Sequence, residues 1–118
     1  MYMRTAAELI IASQHLHYEF GMLNGMATAM VSGISDKTLQ SAILESFGIH
    51  LRNMIDFFYL PRSPHDDILA QDFFEKPEVW PDIRPTCSAE LIRAKKRADK
   101  ELSHLTFTRC GKTENEKL

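Results

Sequence analysis

Cysteine is nearly absent from this chain. Cys87 and Cys110 stand alone, without a CxxC pair or a Cys/His series at ligand spacing, so neither a zinc site nor a disulfide framework is written into it. A reducing cytoplasm is the compartment expected. Net charge is scarce as well, at −2 with the histidines neutral, which excludes a protein that coats nucleic acid by bulk electrostatics and confines any such contact to a local basic stripe. Long apolar runs are missing too. The run LII near the start is soon interrupted by Ser, Gln and His, too short for a signal-peptide core or a membrane span, so neither export nor a membrane is expected. There is no internal repeat, no low-complexity tract and no convincing period-two segment beyond the five residues LTFTR, which argues against a sheet.

What is present is the composition of a soluble globular domain, 44% hydrophobic and 25% charged over 118 residues. That length supports one modest core and no division into two. Residues 1–110 are expected to form a single helical bundle domain, and 111–118 a polar C-terminal tail.

From Thr5 the residues Leu9, Ser13, Leu16, Phe20, Leu23, Ala27 and Met30 recur at steps of three and four, which predicts an amphipathic helix of about 27 residues. Thr5 and Glu8 have the spacing of a capping box. Gly21 and Gly25 inside it each cost about 1 kcal/mol relative to alanine, which implies close approach of a neighbouring helix or a bend. A second helix is expected from Ser35, acting as cap, to Leu60, because Pro61 cannot continue it. Its apolar stripe reads Leu39, Ile43, Phe47, His50, Met54, Phe57. The following stretch holds Pro64, Pro77, Pro81 and Pro85, which excludes any long regular element. DDILAQDFF is long enough for two helical turns, and Phe73, Phe74, Val79 and Trp80 are apolar enough to pin the stretch to the bundle. A last helix opens at Ser88 with Leu91, Ala94, Ala98, Leu102 and Leu105 on one face, and ends before Thr106. The expected fold is all-α: an up-and-down four-helix bundle with a long proline-rich connection before the last helix.

On a helical wheel at about 100° per residue, Arg93, Arg97, Lys100 and His104 fall together, opposite the apolar stripe of the last helix. Arg97 and His104, seven residues apart in RADKELSHLTFTR, point within about 20° of one another and stand about 10 Å apart along the axis. Such a pair is suited to holding a phosphodiester.

Arg97, six residues and His104 on the last core helix of a small helical bundle resemble the signature of the HEPN superfamily, whose active members are metal-independent ribonucleases. The charged and aromatic second helix, ESFGIHLRNMIDFFYLPR, is similar to that family in style. The resemblance implies a homodimer in which His104 serves as general acid/base and Arg97 holds developing phosphate charge, without cofactor or metal. Arg93, Lys100 and Arg52 are then the residues expected to bind the RNA. It also implies a prokaryotic defence or toxin setting, with a cognate antitoxin protein as a further partner.

Other readings stand beside it. In a structural reading, Arg97 pairs with Glu101 and His104 is a surface histidine near a helix C-terminus. In a non-catalytic reading, the bundle is an interaction module, an assembly partner or an antitoxin. In a third, His15, His17, His50 and His104 resemble the histidine set of the DinB metal-binding bundles, although the HxxxH pair of that family is missing. His50 alone, in the middle of an apolar stripe, reads as a core histidine with one hydrogen bond. Glu45, Arg52, Asp56 and Tyr59 share the polar side of helix two, spaced for ion pairs or for a groove beside Arg97 and His104. The run Phe57, Phe58, Tyr59 covers more than one face, so it is expected to meet the proline-rich connection or a second subunit.

Overall fold

The structure, a computed structural model, describes residues 4–61 and 66–102. The protein is all-helical: among these residues there are four α-helices and no strand. Helix α1 spans Ala6–Val31 and α2 spans Lys37–Tyr59. A 3₁₀ turn at Ala70–Phe73, a short α3 at Val79–Ile83, α4 at Ala89–Arg97 and a π-turn at Ala98–Leu102 follow. The expected tail, Leu105 and the end of the last helix lie outside the described residues.

Local chemistry fixes the helix ends. The Glu8 N–H donates to Thr5 Oγ1 at 3.1 Å and the Thr5 N–H to Glu8 Oε1 at 2.8 Å, closing the capping box and satisfying two donors that a helix start leaves open. Helix α1 stops at Ser32, and Gly33 turns the chain with a φ of +82°, a region open to glycine at little cost. Asp36, not Ser35, caps α2, its carboxylate accepting the Leu39 N–H at 2.8 Å. Its position three residues ahead of that donor, with a charged acceptor, decides the competition. At the far end the Leu60 N–H still reaches Asp56 O, and Pro61 ends the helix. Ser88 caps α4 by accepting the Leu91 N–H at 3.2 Å.

Helix α2 carries the core. Met54, Phe57 and Ala70 form a buried cluster on which Leu16 and Leu23 of α1, Phe58 and Trp80 pack. Ile43 and Ile55 are buried along the same helix, whereas Leu39, in its first turn, is 49% exposed, so the buried stripe starts one turn later than expected. Helix α1 lies along α2 as the other arm of a hairpin, yet none of its own residues is fully buried.

The aromatic surplus of α2 is covered by the connection. Phe57 meets Phe73 edge-on at 6.1 Å, and Phe58 meets Trp80 at 6.0 Å, with Phe74 stacked on Trp80. Trp80 Nε1 donates to the Phe58 carbonyl at 2.7 Å and Arg84 donates to the same oxygen at 2.9 Å. That carbonyl is one of the four that the C-terminus of α2 leaves without an intrahelical donor. The Arg84 cation therefore sits where the helix dipole is negative, and its guanidinium also lies 5.3 Å from the Tyr59 ring centre. Leu69 is 1% exposed, and the N–H of Leu69 is taken by the Asp72 carboxylate at 2.9 Å. DDILAQDFF thus forms one 3₁₀ turn instead of two helical turns, because burying Leu69 and Ala70 requires an extended entry into it.

Two outcomes check this account. Phe57→Ala is expected to lower unfolding stability by about 3–5 kcal/mol through loss of buried apolar volume, and Leu39→Ala by less than about 1 kcal/mol, as read from urea unfolding. The Glu8 carboxyl is held below its usual range, first by the Thr5 backbone N–H and further by the Thr5 hydroxyl and Arg4. A carboxylate with a depressed folded pKa contributes stability that is complete above its unfolded value of about 4.3 and is lost as pH falls through the folded value. Glu8→Gln should therefore flatten the acid limb of a stability–pH curve and lower stability above pH ~6 by a pH-independent amount.

Candidate functional site

Helix α4 and the π-turn pack on α2. Capping by Ser88 starts α4, and the small residues Ala94 and Ala98 let its backbone come close, with Ala98 fully buried. This docking sets the positions of the cations.

Lys95 Nζ lies 3.3 Å from Asp56 Oδ1 and 3.6 Å from Asp99 Oδ2, and Asp99 Oδ1 lies 3.6 Å from Arg52 Nη1. The result is a chain of alternating charge, Asp56, Lys95, Asp99, Arg52, that joins the polar side of α2 to the end of α4. Arg52 thus reaches across to Asp99, and Asp56 reaches Lys95, so both side chains of α2 make contacts with the last helical segment. Each of these side chains remains a quarter to two-fifths exposed, so the pairs align the helices more than they stabilise them.

Arg97, the last residue of α4, is half-buried, and one of its guanidinium nitrogens is sealed from solvent. Arg93 is exposed and lies 3.9 Å from Glu90, while Lys100 is exposed on the π-turn. The uniform wheel of the last helix therefore holds only as far as Arg97, because a π-turn closes i→i+5 bonds and changes the angular step. His104 lies outside the described residues. The side chain of Glu101, the alternative partner of Arg97, is likewise not described. The structure thus brings Arg52 beside the Arg97–Lys100 end of the chain and leaves Arg93 on the outer side of α4.

Lys95, Lys96 and Asp99 were missed as site residues by the sequence reading. The i,i+4 spacing of Lys95 and Asp99 was the available signal. Lys95 and Lys96 border a cavity of about 320 Å³ between the end of α2 and α4, with Ile55, Tyr59 and Cys87 on its other walls.

The histidines do not gather on α1 and α2. His15 and His17 are exposed on α1, whereas the His50 side chain is 12% exposed and bonds through Nδ1 to Glu19 Oε2. Asn53 Nδ2 donates to the other Glu19 oxygen at 2.9 Å, and the Tyr18 ring meets the imidazole edge-on at 5.8 Å. Among the described residues there is no group of three His, Cys, Asp or Glu side chains placed to hold a metal ion. A second cavity of about 260 Å³ lies beside this cluster, reached by His15, Glu19, Asn53 and Asp67.

Among the described residues, no helix is long and apolar enough to cross a membrane. No protein-family model, no curated protein and no solved structure matches the chain.

His50→Ala is expected to lower stability by roughly 1–3 kcal/mol, through lost packing and a half-buried Glu19 deprived of a partner, with no selective loss of activity. Denaturant unfolding gives the figure. An equally stable variant that had lost a bound metal would instead revive the histidine set as a ligand cluster.

Proposed function

We propose that this chain is a HEPN-like, RNA-handling protein, a metal-independent ribonuclease or RNA-binding protein of a prokaryotic defence or toxin system. In this reading the four helices form an up-and-down bundle and act in the cytoplasm as a homodimer, with a cognate antitoxin as partner. Arg97 holds the developing phosphate charge, His104 transfers the proton, and Arg52, Arg93 and Lys100 bind the RNA backbone.

The observation that supports this reading is the meeting of α2 and the π-turn at Asp99. Arg52 is held 3.6 Å from that carboxylate, with Lys100 next to it in sequence and Arg97 two residues before it. Lys95 and Lys96 add to the same region, so in sequence the cations Arg52, Lys95, Lys96, Arg97 and Lys100 outnumber Asp56, Asp99 and Glu101 there in a chain of net negative charge. A local excess of that kind suits a phosphate backbone and makes binding fall with salt. The interaction-module reading is favoured by a different surface, the outward side of α1, where Ile11 and Tyr18 are each 58% exposed.

Protein freed of metal is to be incubated with mixed RNA in EDTA. Cleavage is expected, and either Arg97→Lys, which keeps the charge but loses the planar fork, or His104→Ala should reduce it by about 10²–10⁴-fold with little change in thermal midpoint. A parent protein that neither cuts RNA nor binds it in a salt-dependent way removes this reading and leaves the interaction module.

A further inference from the structure

The cavity between the end of α2 and α4 has a volume of about 320 Å³, at the lower end of the range that takes a small ligand. The fold frames it. The π-turn docks on α2 through the buried Ala98, and Pro61 stops α2, so that the chain departs at Leu60 with an extended ψ of 129°. Ile55, Leu60, Pro61 and Ile92 line the space left between them. Ile92 is 45% exposed there, opposite an Ile55 that is buried. The charged groups along this cavity do not balance. Asp56 and Lys95 both border it, but they are bonded to each other at 3.3 Å, and Asp99 lies 3.6 Å from the same ammonium. That pair is committed within the protomer and supplies no spare charge. Lys96 borders the cavity as well, is exposed, and has no ion-pair partner among the described residues. Water is a poor occupant of such a space, because a held water needs about two to four polar partners and most of these walls are hydrocarbon.

We infer that this cavity binds an aliphatic monocarboxylate, its hydrocarbon body against Ile55, Leu60, Pro61 and Ile92 and its carboxylate at the Lys96 ammonium. Size sets the length of the body. At the packing density of a protein interior, about 0.75, a space of 320 Å³ takes on the order of 10–12 non-hydrogen atoms, which is a carboxylate on a chain of about eight carbons. The walls set its chemistry, since aliphatic side chains favour burial of hydrocarbon and offer nothing to a polar ring. Charge sets the head group. One unpaired ammonium matches the single charge of a carboxylate, whereas a phosphate monoester, at about −1.5 to −2, would bring excess negative charge beside Asp56. None of Arg52, Arg93, Arg97 and Lys100 lines the cavity, so the inference goes beyond the RNA reading and does not rest on it.

Isothermal titration of the full chain with octanoate is expected to show one saturable site per protomer, with a Kd on the order of 100 µM for a ligand of this size. Octanamide, of the same shape without the charge, should bind about 3–10-fold more weakly. Lys96→Gln should weaken octanoate by a similar factor and leave octanamide unchanged, because it removes the charge and nothing of the apolar walls. Lys96 is exposed, so helix content by circular dichroism should match the parent. Octyl phosphate should bind no tighter than octanoate. A second readout locates the site, since the half-buried free thiol of Cys87 lines the same cavity. In a Cys110→Ser background, octanoate at about ten times its Kd should slow alkylation of Cys87 by N-ethylmaleimide by about tenfold, in proportion to the fraction of sites left empty. The assignment is overturned by an absence of saturable binding, by equal affinity for octanoate and octanamide, or by tighter binding of octyl phosphate. A Lys96→Gln chain that binds octanoate as the parent does, or binding that leaves the Cys87 rate unchanged, would overturn it equally.

Discussion

One helix supplies the burying surface for nearly everything else. Helix α2 offers Met54 and Phe57 to α1 and the 3₁₀ turn, Phe58 to Trp80, and its polar edge to α4 and the π-turn. A chain of this length has one modest core, and here that core is a line along 23 residues instead of a central volume. The consequence is a dependence in one direction. The short elements, of four, five and nine residues, are too short to be stable alone, so their helicity is borrowed from α2.

The polar contacts make the packing directional. Hydrophobic burial is tolerant of sliding, but Glu19 held by both His50 and Asn53 sets the register of α1 on α2. At the other end, the Phe58 carbonyl accepts Trp80 and Arg84 together, so the connection can leave α2 in only one direction. Asp99 and Lys95 then index α4 against Arg52 and Asp56. Each of these contacts joins residues distant in sequence, and each falls where two elements meet at a polar edge.

That division also explains what was legible in the sequence. The capping box at Thr5, the cap at Ser88 and the stop before Pro61 are decided within a few residues, and they could be read directly. The partners of Asp56 and Arg52 could not. Arg52 is one helical turn from Asp56 in α2, and only the docking of α4 offers Lys95 and Asp99 as competitors. The π-turn was invisible for the same reason, since the residues ADKEL are compatible with a continuing α-helix and tertiary contact with α2 decides against it. The aromatic run of α2 was read as surface in need of cover, and the connection provides it, because Trp80 both stacks and donates to a carbonyl that had lost its helical donor. For the candidate site, spacing alone marked Arg97 and Lys100, whereas Lys95 and Asp99 became visible through geometry.

The net charge of −2 is an average over three unlike surfaces. Helix α1 carries Glu8 and Glu19 and no lysine or arginine. In sequence the connection carries Asp66, Asp67, Asp72, Glu75, Glu78 and Asp82 against Arg62, Lys76 and Arg84, while α4 and the π-turn carry Arg93, Lys95, Lys96, Arg97 and Lys100 against Glu90, Asp99 and Glu101. At physiological salt the screening length is about 8 Å, much shorter than the 46 Å long axis of the molecule. A charged group near this protein therefore responds to the nearest surface and not to the total. The sequence therefore segregates its charge by element, acidic residues in excess on the connection and basic ones on α4 and the π-turn, so that the two sides of α2 face opposite potentials within one screening length of the surface.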